Sequence, residues 1–204
     1  MLKLIREYIE KSWLLLASSF VFGLLLALTY SAWSGKIEQN KINKLTNLMG
    51  TLITDADKFE IAIPAARVDL GKGKFVVTDI YKAISNDGRT AGFCFTGQGT
   101  GFADKIELVI AVDENFAKVT GYNVLASSET PGFGDKIAFS FFNDQFKGAP
   151  AEKMELVKKG DDKIIDNQIV AISGATVSST AVVGIFNNFL EQVKKQIKQK
   201  GLIQ

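Results

Sequence analysis

Residues 168–189 read QIVAISGATVSSTAVVGIFNNF, and this stretch decides how the chain is put together. Its opening letters suit an apolar strand, its last dozen carry a helical apolar spacing, and a tight turn lies between. Ser173, Thr176, Ser178, Ser179 and Thr180 crowd the junction. The first turn of a helix has free backbone N–H groups and a partial positive charge, so anions bind there. Gly174 would let the backbone approach a ligand with no side chain in the way. The hydroxyls of Ser173, Thr176, Ser178 and Ser179 can each donate to an anionic oxygen, at about 1.5–3 kcal/mol per bond to a charged partner. One or two of them acting as helix caps, at about 1 kcal/mol, would explain the same letters. Spacing alone leaves both readings open.

The bulk numbers narrow the chemistry. The chain has 204 residues, a net charge of +2, no histidine and one cysteine. The charge is too even, and the lysines too dispersed, for nucleic acid binding. Without histidine, the commonest general base and metal ligand are missing. Cys94 alone excludes an intrachain disulfide or an iron–sulfur cluster held by this chain only. Its place in GFCFTGQG reads as a buried small hydrophobe. Redox chemistry would therefore need an organic cofactor.

Residues 12–33, SWLLLASSFVFGLLLALTYSAW, carry no charge. About 20 apolar residues span the roughly 30 Å hydrocarbon layer as a helix. Trp13, Tyr30 and Trp33 lie near its ends, where aromatic side chains favour the interface. The run is too long, and ends in residues too bulky, for a cleaved signal peptide. Lys3, Arg6 and Lys11 precede it while Lys36, Lys41 and Lys44 follow, so the charge rule gives no orientation. A short tail inside and a large domain outside is the simplest arrangement.

Residues 35–55 read as a polar helical stalk with one weakly apolar face. From Lys74 to Val124, β-branched and aromatic runs separated by glycines and Asn86-Asp87-Gly88 predict strands of a largely antiparallel sheet. Residues 137–147 are ambiguous between helix and strand, and residues 163–172 read as a further strand. Val182, Val183, Phe186, Phe189, Leu190, Val193 and Ile197 mark the buried face of a last helix. Lys194, Lys195, Lys198 and Lys200 lie towards its negative end. The expected fold class is α+β: an N-terminal transmembrane helix, then one mixed, largely antiparallel sheet domain closed by a C-terminal helix. GFADKI at 101–106 also recurs as GFGDKI at 132–137. This is either a reused turn device or a duplicated unit flanking one cleft.

Familiar phosphate fingerprints do not fit. There is no GxxxxGK[ST], and GQGTGF at 97–102 lacks the last glycine of GxGxxG and sits between strands. A serine hydrolase without histidine would need a Ser–Lys pair, and no SxxK lies near the cluster.

ISGATVSS, together with SSETPGFGDKI at 127–137, resembles the paired motifs of the FMN-binding domain family. Its best-known members are the G subunit of the Rnf ferredoxin:NAD oxidoreductase and the C subunit of the sodium-translocating NADH:quinone oxidoreductase. The resemblance implies FMN attached through a phosphoester at Thr176, in a site made by Ser173, Gly174, Ala175, Val177, Ser178 and Ser179. It also implies that Glu129, Thr130, Pro131, Gly132 and Gly134 line the flavin. A β-turn at Pro131-Gly132 is the plainer reading of that loop, and Glu129 reads equally as a solvated turn residue. The family usually has an aspartate three residues before the motif serine; here that position is Val170, and the nearest upstream acid is Asp166. Phe133 stands where many relatives have leucine.

The resemblance implies an electron-carrier subunit of an Rnf-type complex, coupled to sodium or proton transport, with no catalytic acid or base of its own. Its partners would be the other subunits, a flavin transferase and the lipid bilayer. The boundaries expected are a cytoplasmic tail at 1–11, the membrane helix at 12–33, a stalk at 34–58 and an extracytoplasmic FMN-binding domain at 59–204. The alternatives are a C-type quinone reductase subunit, a free-standing flavin-domain reductase, or an anchored binding domain with an unmodified hydroxyl-rich turn.

Overall fold

The β-branched and aromatic runs pair into an antiparallel meander, seen in a computed structural model that describes residues 2–71 and 73–203, with side chains from Lys11 onward. A single helix, α1 (Leu2–Leu52), comes first. The strands β1 (Ala56–Gly71), β2 (Lys74–Ser85), β3 (Thr90–Thr100), β4 (Lys105–Val112) and β5 (Val119–Ser127) follow in spatial order. A 3-10 turn at Gly134–Ala138, the short helix α2 (Ser140–Asn143) and a second 3-10 turn at Asp144–Phe146 come next. Strands β6 (Glu155–Val157) and β7 (Gln168–Val170) then pair in parallel, and α3 (Thr176–Gln199) ends the chain. The mixed, largely antiparallel α+β domain is as the sequence implies.

The chain divides into two units, residues 1–43 and 44–204. In the first, α1 is long and apolar enough to cross a membrane. Two of its hydroxyls are satisfied within the helix: Ser18 donates to the Leu15 carbonyl, and Thr29 to those of Leu25 and Leu26. In hydrocarbon an unpaired hydroxyl would be costly. Lys3 and Arg6, part of the expected tail, have side chains outside those described.

The second unit begins earlier than the expected boundary at residue 59. Residues 44–52 form its first helical turns and cover one sheet face, where Met49, Leu52 and Ile53 pack with Ala83, Cys94, Val109 and Ala111. The expected stalk is therefore partly core. Small residues dominate that face, so the helix sits close: a Cβ at Gly92 would come within 2.8 Å of Ile53 Cδ1. Burial holds the Cys94 thiol well above its ordinary pKa, as suits a core residue.

α3 covers the opposite face with the apolar stripe read from the sequence, Ile185 included. Gly97 and Gly99 of β3 explain the glycine-rich GQGTGF run. A Cβ at Gly97 would lie 2.6 Å from Ile185 Cγ2, and one at Gly99 2.8 Å from Ile185 Cγ1. These glycines let helix and sheet approach rather than hold a phosphate.

Three further expectations change. β1, absent from the sequence reading, pairs with β2 along its length, with register shifts around Pro64. Proline is tolerated there because β1 is an edge strand. The ambiguous 137–147 segment resolves into helical turns. Of the expected strand at 163–172, only Gln168–Val170 is extended.

Side chains reach part of each sheet edge. Gln192 Oε1 accepts the Asp69 N–H while its Nε2 donates to the Asp69 carbonyl, both at 2.8 Å, and Gln196 donates to the Arg67 carbonyl. On β5, Asn143 donates to the Tyr122 carbonyl at 2.7 Å and Lys44 Nζ to that of Leu125 at 2.5 Å.

Two substitutions test this packing in denaturant melts of the full chain. Met49→Ala, at a site 1% exposed, is expected to cost about 2–5 kcal/mol, because the helical cover cannot fully collapse onto the sheet. Gly97→Ala is expected to cost about 1–3 kcal/mol, as Ile185 has no free side to move towards.

Candidate functional site

The junction between β7 and α3 is a left-handed turn at Gly174 (φ +80°) followed by helix from Thr176. Ala175 occupies the N-cap position, and no side chain caps the helix. The capping explanation of the hydroxyl cluster therefore fails, and the first amides of α3 stay available to a ligand. Two of the hydroxyls expected to face an anion do other work. Ser179 is buried; its Oγ donates to the Ala175 carbonyl and accepts the Ile172 N–H, each at 3.0 Å. Ser178 is also buried and donates to Glu129. Ser173 and Thr176 are exposed beside the free amides. Of the four hydroxyls only that of Thr176 is both exposed and on a residue lining the cleft described below; Ser173 is exposed but is not among the lining residues.

The ETPGFG segment is both things the sequence left open. Phe133 N–H donates to the Thr130 carbonyl at 3.2 Å, closing a turn with Pro131 second and Gly132 (φ +79°) third. That is the type II signature. The same segment walls a cleft of about 440 Å³ lined by Phe102, Glu129, Thr130, Phe133, Gly134 and residues 174–178. Pro131 and Gly132 shape the turn and are not among the lining residues. Phe102 (70% exposed), Phe133 (56%) and Val177 (53%) form its apolar rim. The Phe133 ring comes within 3.7 Å of where a Gly174 Cβ would stand.

Glu129 is not a solvated turn residue. It is 6% exposed, accepts the Ala103 N–H at 3.0 Å through Oε1, and accepts the Ser178 hydroxyl through Oε2. Both copies of the repeated hexapeptide meet here. Phe102 and Phe133 hold equivalent positions and both line the cleft; Ala103 and Gly134, also equivalent, each abut one carboxylate oxygen. One copy runs into strand β4 and the other into a 3-10 turn, so a turn device is reused and no larger unit is duplicated. Phe102 and Ala103 were not singled out from the sequence, although the hexapeptide echo pointed at both.

Val170 fills the position where the family usually has aspartate. Gln145 brackets its backbone, accepting the N–H at 2.7 Å and donating to the carbonyl at 3.3 Å. Its side chain packs against Gly160, where a Cβ would come within 3.1 Å. Asp166 does not substitute, since it accepts the Gln168 N–H at 2.7 Å.

Open helix amides, a close-approach glycine, an exposed threonine hydroxyl and two aromatic walls fit a phosphorylated aromatic group. A larger cleft of about 800 Å³ is lined by Asp55, Asp57, Asp87 and Glu114 together with Arg89, which is paired with Asp87, so its balance of charge disfavours a phosphate. Among the described residues no acidic or cysteine cluster could hold a metal ion.

Residues 101–191 match the FMN-binding domain family. The G subunit of the ion-translocating oxidoreductase complex of Methanosarcina acetivorans is 32% identical over 87% of this chain and 90% of its own length. The G subunit of the Na(+)-translocating ferredoxin:NAD(+) oxidoreductase complex of Acetobacterium woodii is 33% identical over 83% of both chains. Among solved structures, the C subunit of the Na(+)-translocating NADH-quinone reductase of Parabacteroides distasonis shares the fold, with a TM-score of 0.58 at 19% identity, covering 79% of this chain and 94% of that one. The chain belongs to the FMN-binding domain family, in the branch represented by the G subunits of ion-translocating oxidoreductase complexes.

Proposed function

We propose that the protein is the electron-carrier subunit of a membrane-bound ion-translocating ferredoxin:NAD oxidoreductase complex, with FMN attached through a phosphoester to Thr176 Oγ1. The observation that carries this reading is the uncapped start of α3. It presents an exposed threonine hydroxyl beside free amides, at the mouth of an aromatic-walled cleft. Bound FMN supplies reversible electron transfer, which no side chain of this chain provides.

The protein's own residues bind and orient. The first amides of α3 would donate hydrogen bonds to the phosphate, with the exposed Ser173 hydroxyl in the adjoining turn, and Gly174 would give that phosphate access to the backbone. Thr176 supplies the esterified oxygen, so the cofactor cannot leave by dissociation. Phe102, Phe133 and Val177 offer faces for a flat ring system, while Thr130 presents a hydroxyl at the cleft wall. No residue here is required to move a proton. The C-type quinone reductase reading is weaker, because relatives 32–33% identical over most of this chain are G subunits.

We place the domain from Lys44 onward outside the cytoplasm, with α1 as its anchor and the other complex subunits as neighbours. A flavin transferase acting there would load the chain, and Val170 in place of aspartate would slow that loading without preventing it.

Chain from its native host, denatured and run on a gel, is expected to fluoresce under ultraviolet light. The Thr176 peptide should weigh one FMN less water more than its sequence. Thr176→Ala should lose at least about 95% of that fluorescence while the chain still accumulates; retained signal would move the attachment elsewhere. For orientation, Asn86→Cys on the exposed β2–β3 turn should react with a membrane-impermeant maleimide in intact cells, because buried Cys94 contributes no background. Labelling only after lysis would reverse the assignment.

A further inference from the structure

The buried Glu129 carboxylate joins three segments that are distant in sequence. Oε1 takes the Ala103 N–H from the turn between β3 and β4, Oε2 takes the Ser178 hydroxyl from the first turn of α3, and its own backbone begins the ETPGFG turn. Glycines clear the space around it. A Cβ at Gly101 would collide with Oε1, and one at Gly134 would collide with Oε2 and stand 2.6 Å from Ser178 Oγ. No side chain larger than hydrogen fits at either position without expelling the carboxylate. Each segment so joined also carries part of the cleft wall: Phe102 next to Ala103, Phe133 next to Gly134, and Thr176 and Val177 next to Ser178.

We propose that Glu129 is a positioning residue whose carboxylate locks these three segments into one frame, rather than a group that itself contacts the cofactor. This deepens the reading of the cleft as an FMN site and rests on it for its purpose. Both oxygens already accept a bond from the protein, and the residue is almost fully enclosed. What it supplies is distance. With Ser178 tied inward, Thr176 two residues earlier stays turned towards solvent and the helix amides stay open. With Ala103 tied inward, Phe102 is held opposite Phe133.

The role predicts a specific ordering of variants. Glutamine retains the frame, because its carbonyl oxygen accepts from Ala103 while its amide donates to Ser178 Oγ. Alanine removes both bonds, and Ser178→Ala removes one.

The test uses the full-length chain, co-produced with the flavin transferase in one set and without it in another. Backbone hydrogen exchange is read at Ala103 and at Ser179, the first α3 amide with a partner inside the helix, in the unloaded proteins, and covalent flavin per chain in the loaded ones. Glu129→Ala is expected to speed exchange at Ala103 at least tenfold and to lower flavin per chain at least fivefold. Ser178→Ala should show smaller changes in the same direction, and the double variant should be no worse than Glu129→Ala. Glu129→Gln should rescue both readouts to within about twofold of the parent. Asn187→Ala controls for general destabilisation: it removes two hydrogen bonds to the Met154 backbone away from the cleft and should leave both readouts unchanged. Should Glu129→Ala fail to accumulate, Ser178→Ala and Glu129→Gln decide the matter alone.

Parent-like exchange at Ala103 in Glu129→Ala, or parent-like exchange at Ser179 in Ser178→Ala, would overturn the proposal. Glu129→Gln losing flavin as severely as alanine while keeping slow exchange would overturn it too, by making Glu129 a direct contact. A parent chain that carries no flavin would sink the cofactor reading instead, and the exchange rates would still decide the frame.

Discussion

A sheet with two apolar faces needs two covers, and that requirement organises this protein. The inward residues of β2 to β5 pack on α3, while the alternate residues meet the last turns of α1. Leaving either face to water would forfeit several buried aromatic or branched side chains, each contributing about 1.5–3 kcal/mol. The helix long and apolar enough to cross a membrane is thus also, at its other end, a structural part of the sheet domain. One element serves two environments, apolar on every side where lipid would surround it and apolar along a single stripe where it meets the sheet.

The same packing fixes where the site can be. α3 lies close to β3 because Gly97 and Gly99 lack side chains, and its first turn therefore arrives beside the β3–β4 turn. Tyr122, fully buried, donates to the Ile137 carbonyl at 2.5 Å and so pins the segment following ETPGFG to β5. Burial raises its phenol pKa well above the ordinary value, so it stays neutral as a donor. Three connections of different origin converge at one end of the sheet, each positioned by a rigid element behind it. That is the common logic of sites on loops.

Much of this was legible in the sequence because the signals were local. The apolar stripe of α3, the Asn86-Asp87-Gly88 hairpin and the paired SGAT and ETPG motifs all express their physics within a few residues. What escaped was non-local. β1 hid because Pro64 and polar letters interrupt its alternation, and only an edge position with register shifts makes proline acceptable there. The inner turns of α1 looked like stalk because their apolar side chains are few, and a facing sheet of small residues is what makes them sufficient. Glu129 and Ser178 were legible as residues of the site, and both line the cleft, but sequence reports chemistry without direction. Each turned out to satisfy the other, and the burial that pairs them depends on Gly101, far back in the chain, as well as on nearby Gly134.

The amide side chains at Arg67 and Asp69 of β1, and the lysine and asparagine that reach β5, do locally for this sheet's edges part of what closure does for a barrel. Gln192 mimics a peptide unit against Asp69, giving and receiving as a neighbouring strand would. Each ladder rung it occupies is one that a stranger's backbone cannot take. Where those side chains sit, an incoming strand finds donors and acceptors already taken, so the end of β1 and the middle of β5 make poor templates for strand exchange between copies.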